Sequence, residues 1–208
     1  MDKTHAGSVP KIMEKRIEGS RFGLWNARYA KKKHKRMYGD VLTAKKAAEF
    51  FNLDDIHQIE DWGCGFGGFR DFIAHHQTYI GIDGSDTRFA DKIVDLETYR
   101  SSVDAVHLRH VLEHNPGWEK ILENALASFT KRMVLTIFTP FEPATKVIAE
   151  YPEYTGTDII MVDLSLNRDD LVSRFEGLDW SSDEGLVTKT QYNIEHIFYL
   201  EKPGWRQE

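Results

Sequence analysis

Four glycines crowd into six positions of the segment Glu60-Asp61-Trp62-Gly63-Cys64-Gly65-Phe66-Gly67-Gly68-Phe69. A short run from Ile56 to Ile59 precedes them, and a helix-like stretch from Phe69 to His76 follows. Strand, glycine loop and helix form the context in which such glycines cradle a nucleotide-like cofactor. Glycine lets the backbone turn sharply and approach a ligand closely. A helix start behind the loop offers N–H groups that have no partner inside the helix.

The glycines satisfy two templates. Gly63, Gly65 and Gly68 fit G-x-G-x-x-G, the dinucleotide fingerprint. Gly63, Gly65 and Gly67, with Asp61 two residues ahead, fit acid-x-G-x-G-x-G. Asp83 lies 22 residues past Asp61 at the end of an apolar run, where a carboxylate can accept both hydroxyls of a ribose. That feature serves either cofactor. Three others discriminate. The chain after the loop is largely consumed by the sheet, leaving little for the separate substrate domain of a hydride-transferring enzyme. Asp95-Leu96 follows 12 residues after Asp83, a compact wall for an adenine. A fourth strand then runs into Arg109-His110-Val111-Leu112-Glu113-His114.

The elements that must position these residues alternate along the chain, as in a mostly parallel sheet. Strands are expected at 56–61, 78–83, 92–95, 103–108 and 133–138, with a helix within 118–129. Leu42 to Phe51 is rich in helix formers and amphipathic, so it packs on the sheet ahead of the first strand. Residues 139–165 carry Pro140, Pro143 and Pro152 and fit an irregular insert over the sheet. Asn167 caps a helix whose first turn holds Asp169 and Asp170. Two late strands, 186–190 and 194–201, are close enough to form a hairpin, hence one antiparallel strand near an edge.

The segments Asp61-Trp62-Gly63-Cys64-Gly65-Phe66-Gly67, Gly81-Ile82-Asp83-Gly84-Ser85, Val94-Asp95-Leu96 and His110-Val111-Leu112-Glu113-His114 together resemble the class I S-adenosylmethionine-dependent methyltransferases. The resemblance covers roughly residues 56–140 and the final strand pair. It implies an α/β, three-layer Rossmann-like sandwich. Its mostly parallel seven-stranded sheet would have the order 3-2-1-4-5-7-6 with strand seven antiparallel. A helical extension, 1–52, would precede a cofactor-binding domain, 53–208, with the insert at 139–165. The resemblance also implies roles. Asp61 and the backbone of Gly63, Cys64, Gly65 and Gly67 would hold the methionine portion of S-adenosylmethionine. Asp83 and Gly84 would meet the ribose, and Asp95 and Leu96 the adenine. Arg109 and His110 would face the methyl group, and the spent cofactor would be S-adenosylhomocysteine.

Methyl transfer is an in-line displacement, so alignment of the acceptor dominates. A hydroxyl acceptor gains from a general base, and histidine suits neutral pH. His110 and His114 are the candidates, with Arg109 beside them. The Asn-Pro-Pro-aromatic motif of amino-methylating enzymes of this fold does not follow strand four, which tilts the acceptor toward oxygen. The leader is aromatic and basic. Trp25, Tyr29 and Tyr38 are expected to stack on an acceptor, Arg28 to hold an anionic group, and the whole to form a lid. This segment loosely resembles leaders of glycan-modifying methyltransferases, which implies a saccharide or small-molecule acceptor.

Composition bounds the alternatives. With 41% apolar and 29% charged residues the chain is globular, and no run reaches the ~18 apolar residues of a membrane span. Cys64 is the only cysteine, so no internal disulfide can form, which fits a cytoplasmic protein. No Cys/His cluster has zinc spacing, and no metal site is identified. Residues 1–50 hold 13 Lys and Arg against 5 Asp and Glu, while the remainder holds 14 against 28. The basic leader keeps a nucleic-acid substrate as an alternative, which the acidic remainder disfavours. A non-catalytic cofactor-binding module and an NAD-dependent oxidoreductase are the further alternatives. The sequence leaves the acceptor and the oligomeric state open.

Overall fold

The computed structural model describes residues 25, 26, 29, 37–151 and 161–206. Most of the leader, Arg28 included, lies outside the described residues.

The first helix, α1 (Leu42–Phe51), buries Ala44, Ala47, Ala48 and Phe51, one face at helical spacing. The strands that follow are β1 (Gln58–Trp62), β2 (Thr78–Asp83), the two-residue β3 (Lys92–Ile93), and β4 (Val103–Arg109). Helix α2 (Trp118–Ser128) repeats the same spacing with Trp118, Ile121, Leu122 and Ala125. Strand β5 (Phe129–Ile137) follows at once. Next come β6 (Lys146–Tyr151), β7 (Met161–Ser165) and α3 (Arg168–Ser173). The final pair is β8 (Asp179–Leu186) and β9 (Glu195–Glu201). The expected cap is present, since Asn167 Oδ1 accepts the Asp170 N–H at 2.8 Å.

Seven strands form one sheet in the order β3-β2-β1-β4-β5-β9-β8. All pairs are parallel except those made by β9, which runs antiparallel to both β5 and β8. Leaving the separate β6–β7 pair out of the numbering, this is the order 3-2-1-4-5-7-6. Helices cover both faces. The core under α1 includes Ile56, Ile59, Phe69, Ala105, Val134 and Ile197. The core under α2 and α3 includes Trp62, Leu108, Met133, Leu135, Ile137 and Phe198. Alternation along β5 sends Val134 to one layer and its neighbours Met133 and Leu135 to the other. The order of strands reverses between β1 and β4, and crevices outside the carboxyl ends of such strands are where α/β sheets bind ligands.

Three expectations are corrected. The Phe69–His76 stretch is not a helix but a single 3-10 turn, Gly68–Asp71, followed by a chain reversal. That reversal is held by Gln77, whose Oε1 accepts the Ala74 N–H at 3.2 Å and whose amide bonds Phe51 O. The turn still delivers Phe69 to the core, which is what the helix was expected to do. The insert is more regular than its prolines imply, because β6 and β7 pair antiparallel as a small second sheet. The eighth strand begins well before the expected 186–190. Its residues, Asp-Trp-Ser-Ser-Asp-Glu-Gly-Leu, are mostly polar because β8 is an exposed sheet edge, so hydrophobic alternation does not mark it.

Phe51 fastens α1 to the sheet, packing near Phe69 and His107. Phe51→Ala is expected to lower stability by about 3–5 kcal/mol, read by urea unfolding, with the secondary structure retained.

Candidate active site

The carboxyl ends of the central strands open on two adjoining cavities of about 550 and 70 Å³. Asp61, the glycine loop, Arg109, Phe138 and the hairpin residues Tyr151, Met161 and Asp163 line the larger one. Asp83, Gly84, Leu96 and Val111 line the smaller. Trp25, Tyr29, Gly63, His110 and His114 border both and therefore stand at the junction.

The loop is fastened to β2 by two bonds, from Gly63 N–H and Cys64 N–H to Ile82 O, at 2.8 and 3.0 Å. Gly63 has φ +75°, and a Cβ there would stand 2.3 Å from Val111 Cγ2. Backbone angle and space both demand glycine at this position. Asp83 Oδ2 accepts the Gly65 N–H at 2.9 Å and Oδ1 accepts the Ser85 N–H at 2.8 Å. Burial pushes the Asp83 carboxyl up to about 6 in spite of those donors.

Asp61 is held rigidly. Its Oδ2 accepts the Tyr79 hydroxyl at 2.6 Å, and its Oδ1 lies 2.7 Å from His107 Nδ1. His107 in turn stacks on Phe69, with ring centroids 3.8 Å apart. No lysine or arginine pairs with Asp61 among the described residues. The site therefore presents a buried carboxylate with hydroxyl and imidazole neighbours and no lysine or arginine among the described residues, an environment that favours an incoming cation.

Past β4 the chain carries two histidines with different surroundings. Arg109 Nη2 and His110 Nε2 converge on Glu195 Oε1 of β9, at 2.8 and 2.6 Å, and Thr43 Oγ1 of α1 donates to the same oxygen at 3.0 Å. Burial opposes the Glu195 charge, but the His110 bond and the Arg109 charge prevail and hold its carboxyl below the usual range. Burial, and then the Arg109 charge, hold His110 down to about 3, so its ring is neutral and Nε2–H donates to Glu195. The Nδ1 of His110 is buried without a partner. The residue also adopts φ +57°, a conformation that non-glycine residues seldom adopt.

His114 closes a 3-10 turn, Leu112–His114. Its Nδ1 donates to Val162 O at 3.1 Å and lies 3.0 Å from Asp163 Oδ1, an off-axis ion-pair contact rather than a second hydrogen bond. Asp163 Oδ2 accepts the hydroxyls of Tyr151 at 2.7 Å and Tyr192 at 2.9 Å. Burial works against the Asp163 charge, yet His114 and the two hydroxyls hold its carboxyl below the usual range. Phe138 forms a floor between the histidines, its ring 4.8 Å from His110 and 5.4 Å from His114. Trp25 crosses His114 edge-on at 5.0 Å, and Tyr38 lies 5.6 Å from Phe138.

The residues singled out in the sequence thus fall unevenly. Asp61, Gly63, Cys64, Gly65, Arg109, Trp25, Tyr29 and Tyr38 border the larger cavity, and Asp83, Gly84 and Leu96 the smaller. His110 and His114 border both. Asp95 borders neither, its Oδ1 accepting the Glu97 N–H at 2.9 Å as a turn cap. Gly67 also borders neither cavity; with φ +66° it shapes the turn. Burial pushes the Cys64 thiol far up, so it is no nucleophile. Arg109 is committed to Glu195, Thr43 and the backbone of Tyr38 and Asp40. Arg28 lies outside the described residues. Sequence reasoning missed Glu195, Asp163, Tyr151, Tyr192 and His107. Only Glu195 left a signal, an acid opening an apolar strand.

The sequence matches no family model and no characterised protein. By structure it is similar to the N-terminal domain of EvdMO1 with S-adenosylhomocysteine bound. The identity is 17%, covering 78% of this chain and 80% of that one, at TM-score 0.56. It is also similar to the 1,6-didemethyltoxoflavin-N1-methyltransferase of Burkholderia thailandensis, at 12% identity, 77% and 76% coverage and TM-score 0.59. A third is the magnesium protoporphyrin IX methyltransferase of Synechocystis PCC 6803, at 14% identity, 88% and 92% coverage and TM-score 0.57. The chain has the α/β fold of class I S-adenosylmethionine-dependent methyltransferases. No helix among the described residues is long and apolar enough to cross a membrane.

Glu113 gives the site a pH signature. Its Oε1 accepts the Phe138 N–H at 2.6 Å, while Oε2 is buried without a partner. Burial pushes its carboxyl up to about 7. A folded-state value above the unfolded one means stability is present below pH 4–5 and is lost as pH rises toward 7. Glu113→Gln removes that loss. Its stability relative to the parent is expected to improve by about 2 kcal/mol between pH 5 and pH 8, read by thermal melts at both pH values.

Proposed function

We propose that this chain is an S-adenosylmethionine-dependent methyltransferase that transfers a methyl group to an oxygen of a small-molecule or saccharide acceptor. The observation that carries the reading is the buried carboxylate of Asp61. It sits beside a glycine loop that turns through positive φ at Gly63 and Gly65, with no lysine or arginine partner among the described residues. A cofactor with a cationic amino-acid end supplies the missing charge. The fold is shared with proteins solved with S-adenosylhomocysteine bound, which supports the same choice.

The residues fit that cofactor. Asp61 and the Gly63–Gly65 backbone hold its amino-acid end. Asp83 holds the ribose hydroxyls, and Leu96 with Val111 packs on the adenine. When bound, the cofactor supplies an electrophilic methyl group on sulfur. The chain's own task is alignment, exclusion of water and removal of a proton. The larger cavity suits a ring-shaped acceptor, since Phe138, Tyr38, Trp25 and Tyr29 offer aromatic faces while Gln191 and Lys189 offer donors. Trp25 and Tyr29 border both cavities, which supports contact of these two leader residues with cofactor and acceptor. An anionic group on the acceptor would meet Lys189 at the cavity wall.

Isothermal calorimetry with S-adenosylhomocysteine tests the cofactor directly. The parent chain is expected to bind it, and Asp61→Asn or Asp83→Asn to weaken binding about tenfold or more. Absence of binding by the parent chain would defeat the proposal.

A further inference from the structure

We infer that His114 is the group that takes the acceptor's proton, and that Asp163, carried by the inserted hairpin, is its positioning residue. This rests on the methyltransferase reading and deepens it, because a built proton acceptor selects hydroxyl acceptors over carboxylates, which react without losing a proton.

The two histidines differ in which ring nitrogen carries the hydrogen. Both neighbours of His114 Nδ1, the Val162 carbonyl and the Asp163 carboxylate, can only accept hydrogen bonds. Nδ1 therefore carries the hydrogen, and the basic lone pair of the neutral ring is on Nε2. That atom has no hydrogen-bond partner among the described residues and is not among the buried unpaired atoms, so it is open. Its ring borders both cavities. His110 is arranged the other way. Its Nε2–H is spent on Glu195, its Nδ1 is sealed, and Arg109 stands beside it, so a second positive charge there is disfavoured.

Asp163 supplies what His114 needs after the proton arrives. Its Oδ1 is buried, lies 3.0 Å from Nδ1 and takes no hydrogen bond, so an uncommitted carboxylate oxygen stands beside the developing imidazolium. Tyr151 and Tyr192 hold the other oxygen and fix the carboxylate. The other charged group near the ring is Glu113, which points its Oε1 at the Phe138 N–H. In the transfer, the acceptor oxygen forms the new O–C bond, and the C–S bond breaks with its electron pair left on sulfur. The acceptor proton passes to His114 Nε2 and later to solvent. The logic is that of an aspartate-oriented histidine base, with the carbonyl setting the tautomer and the carboxylate balancing the charge.

The test uses the full-length chain and diethyl pyrocarbonate, which acylates open, neutral imidazole nitrogens, with sites mapped by peptide mass spectrometry at pH 8. Of the three site histidines, His114 is expected to react while His107 and His110 do not. Saturating S-adenosylhomocysteine is expected to slow His114 at least fivefold. Asp163→Asn keeps the side chain's shape but removes its charge. It is expected to slow His114 threefold or more while leaving S-adenosylhomocysteine affinity unchanged, a separation that a merely structural aspartate would not produce. Modification of His110 in preference to His114, absence of protection by bound S-adenosylhomocysteine, or an unchanged rate in a folded Asp163→Asn would overturn the inference. The protection experiment decides it on the parent chain even where the variant fails to fold. If the parent chain does not bind S-adenosylhomocysteine, the methyltransferase reading falls and the proton-transfer role falls with it.

Discussion

The arrangement of the site depends on one buried carboxylate. Glu195 enters the core at the start of β9, the antiparallel strand, and would be costly there without compensation. It receives Arg109 and His110 from the end of β4 and Thr43 from α1. Three elements distant in sequence are thereby clamped at the carboxyl end of β4. The clamp holds His110 in its left-handed backbone conformation, and that conformation turns the chain from β4 into the short helix ending at His114. It also occupies Arg109, a residue whose place at the end of β4 suggested contact with ligand.

Two histidines four positions apart therefore differ in chemistry through their surroundings alone. His110 is neutral and enclosed, with its hydrogen committed to a carboxylate that already serves an arginine. His114 faces a carboxylate that no arginine among the described residues shares, and keeps one nitrogen open. The same residue type is enclosed at one position and leaves one ring nitrogen open at the other. Asp61 follows a similar logic. Its hydroxyl and imidazole neighbours hold it in place without supplying a lysine or arginine.

How much of this the sequence conveyed depended on distance along the chain. The glycine loop, Asp83 and the capped α3 are local patterns, and each stands where its spacing placed it. The sheet order follows from alternation of strands and helices together with one close-spaced final pair. The helix expected after the loop failed because Phe69 satisfies the core from a single turn, and helix-forming residues alone do not sustain a helix. The polar edge strand β8 left no hydrophobic rhythm to read. The partners of the histidines were illegible for a different reason. Glu195 lies 85 residues from His110 and Asp163 lies 49 from His114, and no short motif spans such gaps.

The hairpin of β6 and β7 belongs to a sheet of its own, and its largest set of contacts outside that sheet is with the short turn that carries His114. The bonds that fix the glycine loop and Glu195 come from other elements, while the hairpin lends the core the buried side chain of Leu164. Exchange of this one segment, with Leu164 kept apolar, would change the walls of the larger cavity and the partners of His114 together, while the glycine loop and the Glu195 clamp stay in place.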